Sequence, residues 1–223
     1  MHASSQEKRL AALEQEMAAL RRQAAAERRH AEELRRLLIG ELDHRVKNML
    51  AMVRSLADQT LENVDSLAAF KSAFTSRLFA LASAHDLLAR ETWVSANLER
   101  LVKSALPGLI AGGRMAVAGP PVRIGPKQAM ALSMALNELA TNATKYGALS
   151  VAGGRVELGW ECDDDGCEIR WRERGGPPVS PPRRQGFGMR ILNRALAMEL
   201  ERPVQLRFDP GGVECVISVA LAR

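Results

Sequence analysis

No proline and no glycine occurs before Gly40. A stretch that long without a helix breaker, rich in Ala, Leu, Glu and Arg, has few alternatives to a helix. Within residues 6–38, Leu10, Leu13, Met17, Leu20, Ala24, Ala31, Leu34 and Leu38 fall on the a and d positions of a heptad. Glu27 takes one d position and weakens the seam, and the surroundings are Glu, Arg and Gln, as a solvated coiled-coil exterior requires. The apolar pattern continues through Leu42, Val46, Met49, Val53 and Leu56, with a change of spacing near Gly40 that suggests a stutter.

A second helix is expected over 65–90, with the stripe Leu67, Phe70, Phe74, Leu78, Leu81, His85 and Leu88. A short connection around Leu61 to Asp65 makes the two helices an antiparallel hairpin. A lone hairpin exposes its stripes. A second copy would cover them in a four-helix bundle, giving a homodimer; a monomer results if the following domain covers them instead.

After Trp93 the pattern changes. A short helix is expected over Asn97 to Leu106, weak strands at 115–118 and 122–124, and a strong helix over 127–146 with Leu132, Leu136, Leu139 and Ala143 inside. Residues 155–173 alternate as a hairpin around the turn DDDG: Val156, Leu158, Trp160 and Cys162 on one arm, Cys167, Ile169 and Trp171 on the other. Residues 174–187, RGGPPVSPPRRQGF, are too rich in Pro, Gly and Arg for regular structure. A helix over 188–201 and strands near 203–208 and 213–221 complete an α+β domain of about 130 residues behind an all-helical N-terminal part.

Composition narrows the function classes. The 223 residues are 47% apolar, enough for a core, and 31 basic residues face 26 acidic ones, a mixed surface rather than a nucleic-acid footprint. No run approaches the length of a membrane span, and the N-terminus lacks the apolar core of a signal peptide. The odd count of three cysteines, without a CxxC pair, argues against zinc and disulfide frameworks. Cys162 and Cys167 are read as buried small hydrophobes, in a cytoplasmic protein with reduced thiols.

Three groups of residues could carry chemistry. His44, in ELDHRVKNML, lies two residues from both Leu42 and Val46 and so faces away from the seam. It is either an ordinary surface histidine or a nucleophile, with Arg45 and Lys47 near to receive polyphosphate and Asp43 or Glu41 to orient the ring. His85, on the apolar stripe, is read as packed. Glu138, Asn142 and Lys145 share one helical face, suited either to a magnesium–phosphate group or to solvent. Gly175 and Gly176 end a strand, and Gly186 and Gly188 precede a helix; two glycine pairs bracketing a mobile segment suit a phosphate ligand under a lid.

These stretches together resemble the HWE family of sensor histidine kinases. ELDHRVKNMLAMVRSLADQT is similar to the family's phosphoacceptor box, NELATNATKYGALS to its N-box, WRERGGP to its W-x-E glycine box, and GFGMRIL to its second glycine box. RLFALASAHDLL, 77–88, resembles the second helix of the dimerisation domain, and the likeness covers roughly residues 40–220. The resemblance implies an α+β chain: a coiled coil and helical hairpin (a four-helix bundle if dimeric), then a Bergerat-type α/β sandwich. Domains are expected at 1–38 (signal helix), 39–92 (dimerisation and phosphotransfer) and 93–223 (ATP binding).

The implied function is a two-component kinase that uses ATP and Mg2+ to phosphorylate His44 and passes the phosphoryl group to an aspartate of a response-regulator receiver domain. The same likeness implies Asn142 as magnesium ligand, Glu138 as helper of magnesium or of proton transfer, and Glu173 as the reader of the adenine amino group. Lys145, Tyr146, Gly175, Gly176, Gly186 and Gly188 would border the nucleotide. One position departs: the N-box histidine of the family is Asn137 here, about 140° around the helix from Asn142. Asn cannot titrate near neutral pH, so a degenerate, non-autophosphorylating scaffold is the rival reading. A plain coiled-coil adaptor leaves the 135–190 motifs unexplained. No segment resembles a sensor. The chain is expected either to be cut from a longer receptor or to take a partner's signal through the coiled coil.

Overall fold

The computed structural model describes residues 2–62, 64, 66–91, 93–163, 166–180 and 204–219. Helix α1 (His2–Leu61) runs unbroken through Gly40. Helix α2 (Leu67–Arg90) starts at Ser66, whose hydroxyl accepts the Ala69 N–H and satisfies one of the orphan donors of its first turn. Then follow β1 (Ala96–Asn97), α3 (Leu98–Ala105), α4 (Pro107–Ala111), β2 (Met115–Ala118), β3 (Arg123–Ile124), α5 (Pro126–Lys145), β4 (Arg155–Asp163), β5 (Gly166–Arg174), β6 (Gln205–Asp209) and β7 (Gly212–Val219). The expected helix at 188–201 lies outside the described residues.

The chain divides into two compact units, Met1–Ser55 and Leu56–Arg223. In the first, Leu34, Leu38, Leu42, Val46 and Leu50 of α1 are exposed and form an apolar row. No helix among the described residues is long and apolar enough to cross a membrane.

In the second unit a five-stranded sheet has the order β2-β4-β5-β7-β6, antiparallel except for β2 beside β4. The two-residue period predicted for the hairpin is present. Val156, Leu158, Trp160, Cys167, Ile169 and Trp171 are all buried, and they share one core with Leu132, Leu136 and Leu139 of α5. Ala84 and Leu88 of α2 join that core. The buried face of α2 is Arg77, Ala80, Leu81, Ala84 and Leu88, whereas Leu67 and Leu78 of the predicted stripe are exposed. The face is rotated because α2 packs on α3 and α5 of its own chain. His85 is half-buried, its ring edge-on to Trp93 at 4.8 Å between centroids.

The cysteine reading needs correction. Cys162 and Cys167 are directly opposed in the β4–β5 register, with Cα atoms 4.1 Å apart, and are joined as a disulfide. The pairing follows from register, which cysteine spacing alone does not reveal. Cys215 is a buried free thiol, pushed up to about 12 by burial, and so carries no thiolate near neutral pH.

Candidate nucleotide site and phosphoacceptor

The alternation of β5 that buries Ile169 and Trp171 continues to Glu173, which is therefore carried inward and is only 2% exposed. A buried carboxylate needs partners. One oxygen, Oε2, accepts the Ala148 backbone N–H at 2.7 Å, and Oε1 accepts the Trp171 indole N–H at 3.3 Å. Burial pushes the Glu173 carboxyl above its ordinary value, and the two hydrogen bonds oppose that rise.

Glycine makes this arrangement possible. A Cβ on Gly147 would overlap Glu173 Oε2 and sit 2.9 Å from the Ala143 Cα. One on Gly176 would come within 2.5 Å of the Ala148 Cα. Gly175 has φ +69°, a left-handed backbone that favours glycine. Gly175 and Gly176 thus support the strand end and the Ala148 backbone; they are not on the cavity wall. Gly186 and Gly188 lie outside the described residues.

Glu173 opens on a cavity of about 990 Å3. Of the residues expected at the site, Glu138, Asn142, Lys145 and Tyr146 also line it. Leu109, Leu206 and Phe208 add apolar surface suited to a flat base. Asn142, Lys145 and Tyr146 are exposed at the C-terminal end of α5, and the Tyr146 backbone N–H closes the helix on the Asn142 carbonyl at 2.8 Å.

Glu138 differs from its neighbours on the row. It is 6% exposed, and Arg77 of α2, 8% exposed, grips it with two hydrogen bonds: Nε to Oε1 at 2.6 Å and Nη2 to Oε2 at 3.2 Å. The third nitrogen, Nη1, donates to Thr60 Oγ1 at 2.9 Å, and the Thr60 hydroxyl donates to the Leu56 carbonyl at 2.5 Å. Beside it the Ser76 hydroxyl donates to Asn137 Oδ1 at 3.1 Å. Asn137 therefore ties α5 to α2. Ser76 and Arg77 line the cavity as well, and the sequence reading missed both; Arg77 stands in RLFALASAHDLL, a stretch read as a dimerisation helix with an apolar stripe and no site residue.

The phosphoacceptor candidate belongs to the first unit. His44 is exposed on α1, with Nδ1 3.3 Å from the Asn48 side-chain nitrogen one turn on. Asp43 does not orient the ring. Its carboxylate pairs with Lys47 at 2.6 Å.

Residues 41–121 match the family described as HWE histidine kinase. The chain is 39% identical over 185 residues to the blue-light-activated histidine kinase of Brucella anthropi, a match spanning 80% of this chain and 38% of that protein. The chain belongs to the HWE histidine kinase family. The Brucella ovis relative is also 39% identical, over 82% of this chain and 38% of its own length. This HWE chain thus spans about two fifths of the length of these curated relatives. The histidine kinase domain of the Erythrobacter litoralis blue-light activated histidine kinase superposes with a TM-score of 0.55 at 18% identity, over 75% of this chain and 96% of that one. The longer structure of the same protein reaches 0.59 at 20% identity, over 82% and 58%. The likeness is one of fold: long helices followed by a mixed α/β sheet domain.

Proposed function

We propose that this HWE chain is an ATP-dependent protein histidine kinase that phosphorylates His44 and hands the phosphoryl group to an aspartate of a response-regulator receiver domain. The observation that carries the reading is Glu173: a buried carboxylate, held by Ala148 and Trp171, on the wall of the cavity that Asn142 and Lys145 also line. A carboxylate accepts hydrogen bonds only. An adenine amino group supplies the donor that fits it, and apolar side chains flank the ring.

Lys145 would offset phosphate charge. Among the described residues no cluster of three or more His, Cys, Asp and Glu could hold a metal by itself. A magnesium ion would take the Asn142 amide oxygen together with nucleotide and water oxygens, which suits its preference for oxygen and retained water. When bound, magnesium neutralises charge on the polyphosphate.

In the transfer, a lone pair on a His44 ring nitrogen forms the N–P bond as the bond from the γ-phosphorus to the β–γ bridging oxygen breaks. ADP leaves with that electron pair, and the proton of the imidazolium passes to solvent. Attack by Nε2 needs the proton on Nδ1, where the Asn48 amide, turned to present its oxygen, would accept it. Domains at 1–38, 39–92 and 93–223, a homodimer through the exposed row of α1, and a cytoplasmic site where ATP is available complete the proposal.

The test is incubation with ATP labelled at the γ-phosphate. Wild type should gain acid-labile label and Asn142→Ala should gain almost none. A wild-type chain that binds ATP without taking label would favour the scaffold reading.

A further inference from the structure

We propose that Arg77 is a binding residue for the terminal phosphate of ATP, exchanging Glu138 for that phosphate when the triphosphate enters. The inference rests on the nucleotide reading above and adds a residue from α2, outside the N-box and both glycine boxes.

The cavity has two chemically different ends along α5. Glu173 meets Ala148, just beyond the helix C-terminus, while Arg77 meets Glu138, seven residues before the last helical residue, Lys145. At 1.5 Å per residue the two ends are separated by roughly 10 Å of helix. In ATP the terminal phosphate is the group furthest from the base. A nucleotide with its amino group on Glu173 and its phosphates near Lys145 and Asn142 therefore extends toward Glu138 and Arg77. Both of these line the same cavity.

The fork of Arg77 is built for such an exchange. Its Nε and Nη2 edge grips the Glu138 carboxylate in the two-pronged geometry that a guanidinium offers equally to phosphate. Its Nη1 is anchored separately on Thr60, so the gripping edge can change partner while the anchor holds. Simple release is disfavoured, because both members of the pair are buried and an unpaired charge there is costly. A swap of one anion for another keeps the guanidinium compensated. The displaced Glu138 carboxylate is compensated in turn by the magnesium ion that accompanies the triphosphate, the metal role implied for it above. ADP brings no γ-phosphate and leaves the pair closed.

The experiment measures affinity of the full chain for a non-hydrolysable ATP analogue and for ADP, both with magnesium, by titration calorimetry. Arg77→Gln should lose triphosphate affinity about tenfold, the size of one charge-assisted pair, with ADP affinity within about twofold of wild type. Arg77→Lys should recover part of the loss. Glu138→Gln, nearly isosteric, removes the competing charge and, titrated without magnesium, should tighten the triphosphate but not ADP. An unchanged ratio in Arg77→Gln, equal loss of both ligands, or a Glu138→Gln variant that fails to gain contradicts the exchange. A wild-type chain that binds neither nucleotide overturns the nucleotide reading itself.

Discussion

The indole N–H of Trp171 points at the carboxylate of Glu173, two residues on along the same strand and on the same buried face. The W and the E of the W-x-E box are thus one device: a large apolar side chain that fills the core and lends its only polar atom to the buried carboxylate proposed to read the base. Removing that donor with Trp171→Phe should weaken ATP binding by about fivefold, the effect of one net hydrogen bond.

The same pair sets a pH dependence. Glu173 has its carboxyl raised by burial, so its protonated form is favoured in the folded state. Its contribution to folding is fully present below the ordinary carboxylate value and is lost as pH rises through the raised one. Adenine binding runs the other way, since only the ionised form offers every oxygen as an acceptor. Nucleotide affinity should therefore fall as pH is lowered through that raised value. Trp171→Phe, which removes a bond that lowers it, should move the fall to higher pH. Titration of a fluorescent ATP analogue across the acid range checks both points.

Gly147→Ala places a methyl group on Glu173 Oε2 and against the Ala143 backbone. Neither neighbour can yield without disturbing the buried carboxylate. The variant should lose about 1–3 kcal/mol of stability, as overpacked sites do, and its nucleotide affinity with it. Thermal unfolding with and without ATP reports both effects.

The exposed row on α1 predicts an oligomer. Leu38 is 58% and Leu42 62% exposed, and a seam that apolar does not normally stay in water. The double variant Leu38→Glu, Leu42→Glu should shift sedimentation from dimer to monomer while leaving ATP affinity unchanged. A wild-type chain that sediments as a monomer at every concentration would contradict it.

How far the sequence reveals the fold depends on whether a feature is local. The three-and-four-residue rhythm of Leu132, Leu136, Leu139 and Ala143 and the two-residue rhythm from Val156 to Trp171 are local, and the structure buries those side chains as the periods require. The inward placement of Glu173 extends the second rhythm by one step. Arg77 looks like a solvated cation because its partner Glu138 lies 61 residues away; only the docking of α2 on α5 brings the two together. The Cys162–Cys167 bond likewise depends on a register that cysteine spacing does not state. Gly147 stands in plain view beside Tyr146, yet its reason is the carboxylate of a strand 26 residues later.

The most direct test of the whole account is to let the chain react with ATP and locate the modified residue by mass spectrometry under non-acidic conditions. The account predicts one phosphohistidine, at His44, absent from His44→Ala although that variant still binds ATP. Phosphate on another residue, or label retained in full by His44→Ala, would contradict it.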